Sequence, residues 1–461
     1  MTLVVLNENT GILEKRCESY TLQDIEKPNL YKDIFNYDEI PKCVFDYKNI
    51  PISPAKNFWI TDTTFRDGQQ SRVPYTVDQI LKLYDFLHLL GGEKGIIRQT
   101  EFFLYSDKDK EAALGCMERG YKFPEVTGWI RPLSKDLELV KDFGLKEVGF
   151  LVSSSDYHIF KKLNKTRQQA MEDYMSIIRK AVELEIKPRC HFEDITRSDF
   201  YGFVLPFANE LQKLMVESGT PVKIRLCDTM GYGVSYPGAS LPRSVPEIIY
   251  SLRTLAGFDS ELLEWHGHND FYRSVSNAAT AWLYGCSGVN CSLLGIGERT
   301  GNTPLEAMVI EYAQLRGTLD GMEVSVITDI ARYFEKELDY IIPPMTPFVG
   351  KSFNVTQAGI HADGLLKNEE IYNIFNTGKL LKRPVGVSVT QTSGLAGITL
   401  WINNNLMLDK NSKLDKKDPR VKKIKDWVDV QYQSGRVTPI SDVEMIETIR
   451  AIAPDIFILT M

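Results

Sequence analysis

Histidine is scarce in this chain and cysteine follows no pattern. Only six histidines occur in 461 residues: His88, His158, His191, His266, His268 and His361. Chemistry that needs an imidazole near neutral pH must draw on that short roster. The seven cysteines (Cys17, Cys43, Cys116, Cys190, Cys227, Cys286 and Cys291) are odd in number and form no CxxC pair. This argues against a disulfide framework and for a reducing cytoplasm; the neighbouring Cys286 and Cys291 read as buried thiols near a strand. No GxGxxG follows the first strand-like run and no P-loop occurs. No stretch approaches the apolar length of a membrane span, and the first residues lack the basic and apolar regions of a signal peptide. The net charge of −7 is not that of a nucleic-acid binder, and it requires local positive charge wherever an anion is to be held. With 43% hydrophobic and 25% charged residues, the chain reads as a soluble globular protein.

Residues 1–57 read as an extension. They mix charge, aromatics and the prolines Pro28, Pro41, Pro51 and Pro54, and predict short helices and loops packed on a main domain or a partner subunit. From Phe58 an alternation begins. Strand-like runs fall at 58–64, 96–104, 124–130, 147–153, 187–193, 221–228, 262–268 and 288–295. Helical spacing of apolar residues marks Val77 to Leu90, Arg167 to Leu184, Phe207 to Ser218, Ser244 to Leu255 and Val275 to Tyr284. Such units over about 260 residues match the size of a TIM barrel. The fold expected is therefore α/β, a (β/α)8 barrel over 58–322; an open doubly wound sheet is the alternative. Residues 323–461 begin with a helical run, Val324 to Tyr340, followed by the Pro343-Pro344-Met-Thr-Pro347 linker. The rest reads as a mainly helical C-terminal region, and the Lys/Asp-rich stretch at 409–426, with both signs mixed, reads as a solvated face.

The barrel reading orders the polar residues. Active sites of this fold lie at the C-terminal ends of the strands. Arg66 and Asp67 follow strand 1, His158 follows strand 4, Glu193 and Asp194 end strand 5, and Asp228 and Thr229 end strand 6. In Glu264-Trp-His-Gly-His-Asn-Asp270 at the end of strand 7, His266 and His268 are two apart and share one face of a strand. Strand 8 is followed by Glu298 to Asn302. Closure places strand 8 between strands 7 and 1, so Asp67, His266, His268 and Asn302 could converge on one ion; a pair of structural histidines is the plainer reading. Glu101, within strand 2, either supports Arg66 or lines the substrate pocket. His158 either touches substrate or packs. Glu298 and Arg299 read as a buried ion pair, and His88, Cys116 and Trp282 as structural. In the C-terminal region, His361 stands in the glycine-flanked Gly359-Ile-His-Ala-Asp-Gly364.

Five segments together, Asp62-Thr-Thr-Phe-Arg-Asp-Gly68, Asp228-Thr-Met-Gly-Tyr232, His266-Gly-His-Asn-Asp270, Gly295-Ile-Gly-Glu-Arg-Thr-Gly-Asn302 and Gly359–Gly364, resemble the acetyl-CoA-dependent Claisen-condensing TIM barrels. That family includes isopropylmalate, homocitrate, citramalate and Re-citrate synthases. The resemblance implies a divalent cation (Mn²⁺ first, otherwise Co²⁺, Mg²⁺ or Zn²⁺) held by Asp67, His266, His268 and Asn302. It implies that Arg66 contacts the keto oxygen of a 2-oxoacid, Thr229 its carboxylate, and Gln70 the acetyl-CoA. Glu193 and His361 would handle protons, with His361 reaching a neighbouring subunit of a homodimer or higher oligomer. The run Arg189-Cys-His-Phe-Glu-Asp194 with Arg197-Ser-Asp199 is similar to homocitrate synthases, where the first arginine grips the distal carboxylate of a dicarboxylic 2-oxoacid. Two departures stand out: Arg66-Asp67-Gly68 replaces the usual Arg-Glu-Gly, and the bulkier His191 replaces a small hydroxyl residue. With the wording around the other motifs, most similar to the Re-citrate branch, this implies oxaloacetate rather than 2-oxoglutarate. The length after the barrel implies no large regulatory domain. The rivals are a lyase for a 3-hydroxyacyl-CoA and a non-catalytic metabolite sensor.

Overall fold

Eight parallel strands close into a barrel: β1 (Trp59–Asp62), β2 (Ile97–Phe103), β3 (Glu125–Ile130), β4 (Glu147–Ser153), β5 (Lys187–Glu193), β6 (Lys223–Asp228), β7 (Leu263–Gly267) and β8 (Gly288–Cys291). The structure is a computed structural model and describes residues 3–7, 12–16, 20–357, 359–409 and 411–460; Cys17 lies outside them. β8 pairs with both β7 and β1, so Asn290 stands beside His266 on one side and Thr61 on the other. All eight strands fall where the alternation of the sequence puts them, and the (β/α)8 expectation holds.

The helices form where caps and apolar spacing agree. Thr76 and Gln79 make a reciprocal capping box at the start of Val77–Gly91, which buries Ile80, Leu83, Leu87 and Leu90. That helix ends at Gly92, with φ +64°, where an added Cβ would meet the Gly321 carbonyl oxygen at 2.2 Å, so only glycine fits. Thr166 and Gln169 repeat the capping box before Arg167–Glu183. The helices Asp107–Glu118 and Ser134–Asp142 follow β2 and β3 without a strong apolar stripe; they bury Ala112, Ala113, Cys116, Leu137 and Val140 behind charged outer faces.

The extension meets part of the expectation: its loops pack on the barrel, but the short helices are not formed over residues 20–57. Residues 20–57 form no helix, and further upstream Leu3–Asn7 and Ile12–Arg16 pair as antiparallel strands. The extension's backbone groups bond to the barrel instead. Gln23 N–H donates to Gly202 O, Arg167 Nη1 donates to Gln23 O, Arg243 Nη1 to Pro41 O, and Arg253 Nη1 to Ser53 O. Proline at 28, 41, 51 and 54 also removes donors that a helix needs.

The chain divides into two compact units, Met1–Glu323 and Val324–Met461. The second is mainly helical. Leu395–Asn405, Pro419–Gln433 and Asp442–Ile452 pack Ile398, Trp401, Val421, Ile424, Val428, Met445 and Ile449 into one core. The Lys/Asp-rich stretch folds with Lys422 and Lys423 outward and Val421, Ile424 and Val428 inward, the solvated face that its mixed charge suggests.

Barrels of this class are commonly filled by branched apolar side chains. This one is filled by ions. Glu101 on β2 accepts from Arg66 Nε at 2.8 Å, Arg189 Nη2 at 2.6 Å and Arg225 Nη1 at 3.0 Å. Arg189 also donates to Glu147 at 2.7 Å, Lys223 to Glu147 at 2.7 Å, and Arg225 to Glu264 at 2.9 Å. Burial would raise the pKa of Glu101, but Arg225, Arg66, His191 and Arg189 outweigh it and hold the carboxyl well below its ordinary value. A carboxylate with a depressed pKa contributes stability above its unfolded value and loses it as pH falls toward the folded one. Replacing one member strands the others, at a cost of about 3–5 kcal/mol. Glu101→Gln should therefore lower stability in urea denaturation at pH 7 by that order; an unchanged midpoint would contradict the network.

Candidate metal centre and barrel mouth

Asp67 reaches the mouth because the chain turns tightly after β1. Thr63 O accepts the N–H groups of Arg66, Asp67 and Gly68. Asp62, fully buried, ties the turn by accepting from Thr64 and from Thr100 Oγ1 at 2.7 Å; burial, only partly opposed by those bonds, pushes its carboxyl up to about 6. Leu293 N–H donates to Thr64 Oγ1 at 2.8 Å, so the loop after β8 is tied to the loop after β1.

Asn302 is brought alongside by the same loop. Its backbone bridges His268, and Thr303 N–H donates to Gly267 O. The side chains of Asp67, His266 and His268 then offer ligand atoms within 4.8 Å of one another, all buried. His266 Nε2 and His268 Nε2 are 3.3 Å apart, and they lie 3.9 and 3.8 Å from Asp67 Oδ2.

The hydrogen bonds fix which atoms face the centre. Asn290 Nδ2 donates to Thr61 Oγ1 at 2.9 Å, leaving Oδ1 to accept from His266 Nδ1–H at 2.8 Å. That bond leaves the Nε2 lone pair of His266 turned to the cluster. Asn302 Nδ2 donates to Ile296 O at 3.2 Å, and its Oδ1 is buried without a hydrogen-bond partner among the described residues; so is Asp67 Oδ2. Burial and His268, against the pull of Asp67, lower the pKa of His266 to about 3; burial also lowers that of His268, against Asp67. Burial resists ionisation of Asp67, yet Arg66 and the two histidines hold its pKa at about 2. Two neutral imidazoles, a carboxylate and an amide oxygen, with two buried oxygens lacking partners, are a donor set that fits a divalent cation.

Around this cluster the expected residues fall into three groups. Arg66 and Glu193 stand at the mouth. Arg66 is fixed by Glu101 and by Asp67 Oδ1 at 2.9 Å, and its Nη2 has no partner among the described residues. Glu193 accepts from Ser153 Oγ at 2.6 Å and from Lys162 Nζ at 3.1 and 3.2 Å, and His158 Nδ1 lies 2.9 Å from it, off the line of a good bond. Despite burial, His158 and Lys162 hold Glu193 at about 2. Thr229 Oγ1 accepts from Asp194 N–H at 2.9 Å at the end of β6, and Gln70 is exposed beside the turn after β1.

A second group sits deeper than its role requires. Arg189 is fully buried and every N–H is engaged: Nε with His191, Nη1 with Gln99 and Glu147, Nη2 with Glu101 and Thr127. It has no donor left for a distal carboxylate, which corrects that expectation. His191 is buried against Arg189 and, at 3.4 Å, Glu101; burial and Arg225 lower its pKa. Glu101 supports Arg66, one of the two roles open to it.

The third group makes other contacts. His361 belongs to the second unit, where Thr356 Oγ1 is 3.3 Å from its Nδ1 and the Tyr372 ring packs against it at 4.4 Å. The expected Glu298–Arg299 pair does not form. Both are exposed, and Arg299 donates to Asp270 at 2.8 Å and to Thr229 O at 2.6 Å, because its left-handed backbone (φ +57°) turns it across the two neighbouring loops. His88 stacks on Tyr121 and bonds Phe123 O, a structural role. Sequence reasoning missed Asn290, Ser153 and Lys162; of these, only Asn290, two residues past the start of β8 and thus inward, carried a signal.

The HMGL-like family matches residues 57–333. The chain is 56% identical over 443 residues to a citrate (Re)-synthase of Clostridium kluyveri, covering 96% of this chain and 98% of that protein. It is 56% identical over 438 residues to a citrate (Re)-synthase of Syntrophus aciditrophicus, covering 95% and 70%. A 2-phosphinomethylmalate synthase of Streptomyces hygroscopicus is 36% identical over 432 residues, covering 92% and 96%. With the family matched from the start of β1 through the whole barrel, this chain belongs to the HMGL-like family.

Proposed function

We propose that this protein condenses acetyl-CoA with oxaloacetate to give citrate and CoA, as a Re-type citrate synthase that requires a divalent cation. The observation that carries the reading is the Asp67–His266–His268 cluster with its partnerless buried oxygens. It stands in a chain 56% identical to two citrate (Re)-synthases. Asp67, His266, His268 and Asn302 would hold the ion, with Mn²⁺ the first choice. When bound, it supplies Lewis acidity at the 2-oxoacid carbonyl.

The chain's own groups do the rest. Arg66, held on two sides, directs its uncommitted Nη2 to the keto oxygen and stabilises negative charge there. Thr229 receives the adjacent carboxylate, Gln70 lies by acetyl-CoA, and His158 lines the acid's pocket. Glu193 and His361 move protons. One accepts a methyl proton of acetyl-CoA, the enolate carbon bonds to the keto carbon, and the keto oxygen gains a proton. Water then cleaves the thioester, releasing CoA and citrate. A homodimer or larger homo-oligomer in the cytoplasm completes the reading, and light scattering checks the assembly. Among the described residues no helix is long and apolar enough to cross a membrane.

Thiol release from acetyl-CoA, with oxaloacetate, 2-oxoglutarate, 2-oxoisovalerate and pyruvate offered separately, tests the reaction. Release with oxaloacetate alone, abolished by a chelator, is expected; no release with oxaloacetate refutes it. His361→Ala should lower kcat roughly 10²–10⁴-fold while metal content stays unchanged.

Asn290→Ala tests the centre without turnover. Loss of the group that orients His266 should weaken Mn²⁺ binding about 10–100-fold in calorimetry; unchanged affinity would remove Asn290 from the centre. Lys162→Met removes a positive charge from Glu193, so the carboxyl binds its proton more readily. The acidic limb of the pH–rate profile should move to higher pH, and an unmoved limb would exclude Glu193 as the group titrating there.

A further inference from the structure

The loops after β6 and β7 carry two arginines that meet no carboxylate. Arg243 is 3% exposed. Its Nε donates to Tyr232 O at 2.8 Å and its Nη1 to the carbonyls of Pro41 and Lys42, while Nη2 has no partner among the described residues. The Arg273 side chain makes no hydrogen bond and no ion pair among the described residues. Its guanidinium lies 5.4 Å from the Tyr236 ring centre and 5.7 Å from that of Phe271, with Nη1 buried and unpartnered. The nearby carboxylates are committed elsewhere. Asp228 accepts from Thr196 and Gly233, Asp270 pairs with Arg299, and Glu247 pairs with Lys48.

Both arginines also stand at the electropositive end of a helix. Arg243 precedes Ser244, the N-cap of Val245–Thr254, and Arg273 is itself the N-cap of Ser274–Tyr284. Helix N-termini disfavour cations and favour anions. The guanidinium of Arg243 has its pKa lowered by burial first and then, against the raising influences of Cys43, Asp228 and Tyr232, by the charge of Arg273. Two guanidiniums without an ion-pair partner among the described residues, at the strand-end mouth of a barrel, are a placement that an anion would stabilise.

We propose that Arg243 and Arg273 form a phosphate-binding site on the rim between the β6 and β7 loops. A phosphate dianion matches both charges and offers oxygens to the planar N–H pairs. Tyr236, 41% exposed, adds a ring face on which the base of a nucleotide can stack. The phosphate belongs either to the nucleotide end of acetyl-CoA or to a free nucleotide.

Pyrophosphate binding to the full chain, in buffer free of other polyanions, tests the site without turnover, so its failure is distinct from failure of the reaction above. Arg273→Gln should raise the Kd for pyrophosphate at least about tenfold. Without the probe it should lose little stability, since its guanidinium makes no hydrogen bond or ion pair among the described residues and only two ring contacts. Arg243→Lys, which keeps the charge, should retain part of the binding. Equal Kd values for wild type and Arg273→Gln overturn the proposal. Kinetics then separate the two sources. A raised KM for acetyl-CoA, with that for acetyl-pantetheine unchanged, assigns the phosphate to the substrate. Unchanged KM values with loss of ADP binding assign it to a free nucleotide.

Discussion

Glu101 is the constraint on which the barrel depends. Three guanidiniums from three segments, Arg66 after β1, Arg189 on β5 and Arg225 on β6, share one buried carboxylate. Glu147 and Glu264 complete the balance on either side. A barrel interior built this way is specified by geometry more than by apolar volume, because each charge is tolerable only with its partners in place. The network also reaches the chemistry. The Arg66 held by Glu101 is the one that bonds Asp67, so the orientation of a mouth residue is set several ångströms down inside the barrel.

The cation cluster uses a complementary device. His266 and Asn302 come from consecutive paired strands and their loops, while Asp67, about two hundred residues away in the chain, joins them only because β8 closes onto β1. Asn290 and Thr61 supply the fine adjustment, a chain of bonds across β1, β8 and β7 that selects the His266 tautomer. The β8 loop is also tied to the β1 loop by Leu293 and Thr64, so donors from opposite ends of the barrel domain are held as one piece.

Much of this was legible in the sequence. Strand positions followed from apolar alternation, and the candidate ligands from a single fact of topology, that polar groups clustered at the same ends of the strands. Depth was harder to read. Arg189 and His191 alternate with Glu193 on the same inward face of β5, yet only Glu193 is high enough to meet the mouth. One step of two residues along a strand is about 6–7 Å, enough to separate a substrate contact from a buried structural ion. The partners of Glu101 were hidden for the same reason: they depend on register across segments 35, 88 and 124 residues away in the chain. The extension failed locally, because its bonds are made to the barrel and leave no periodicity of their own.

The extension from residue 20 is held in part by its own carbonyl oxygens, those of Gln23, Pro41, Lys42 and Ser53, gripped by Arg167, Arg243 and Arg253 of the barrel. A carbonyl is common to every residue type, so this attachment reads the path of the backbone and is largely blind to side-chain identity. At those four positions the side chain can change while the course is kept; Ile34, Phe35 and Lys48, which pack on or pair with the barrel, are not so free. Its removal would be another matter: three barrel arginines would lose acceptors together, and the damage would appear on the barrel's outer helices, far from the residues deleted.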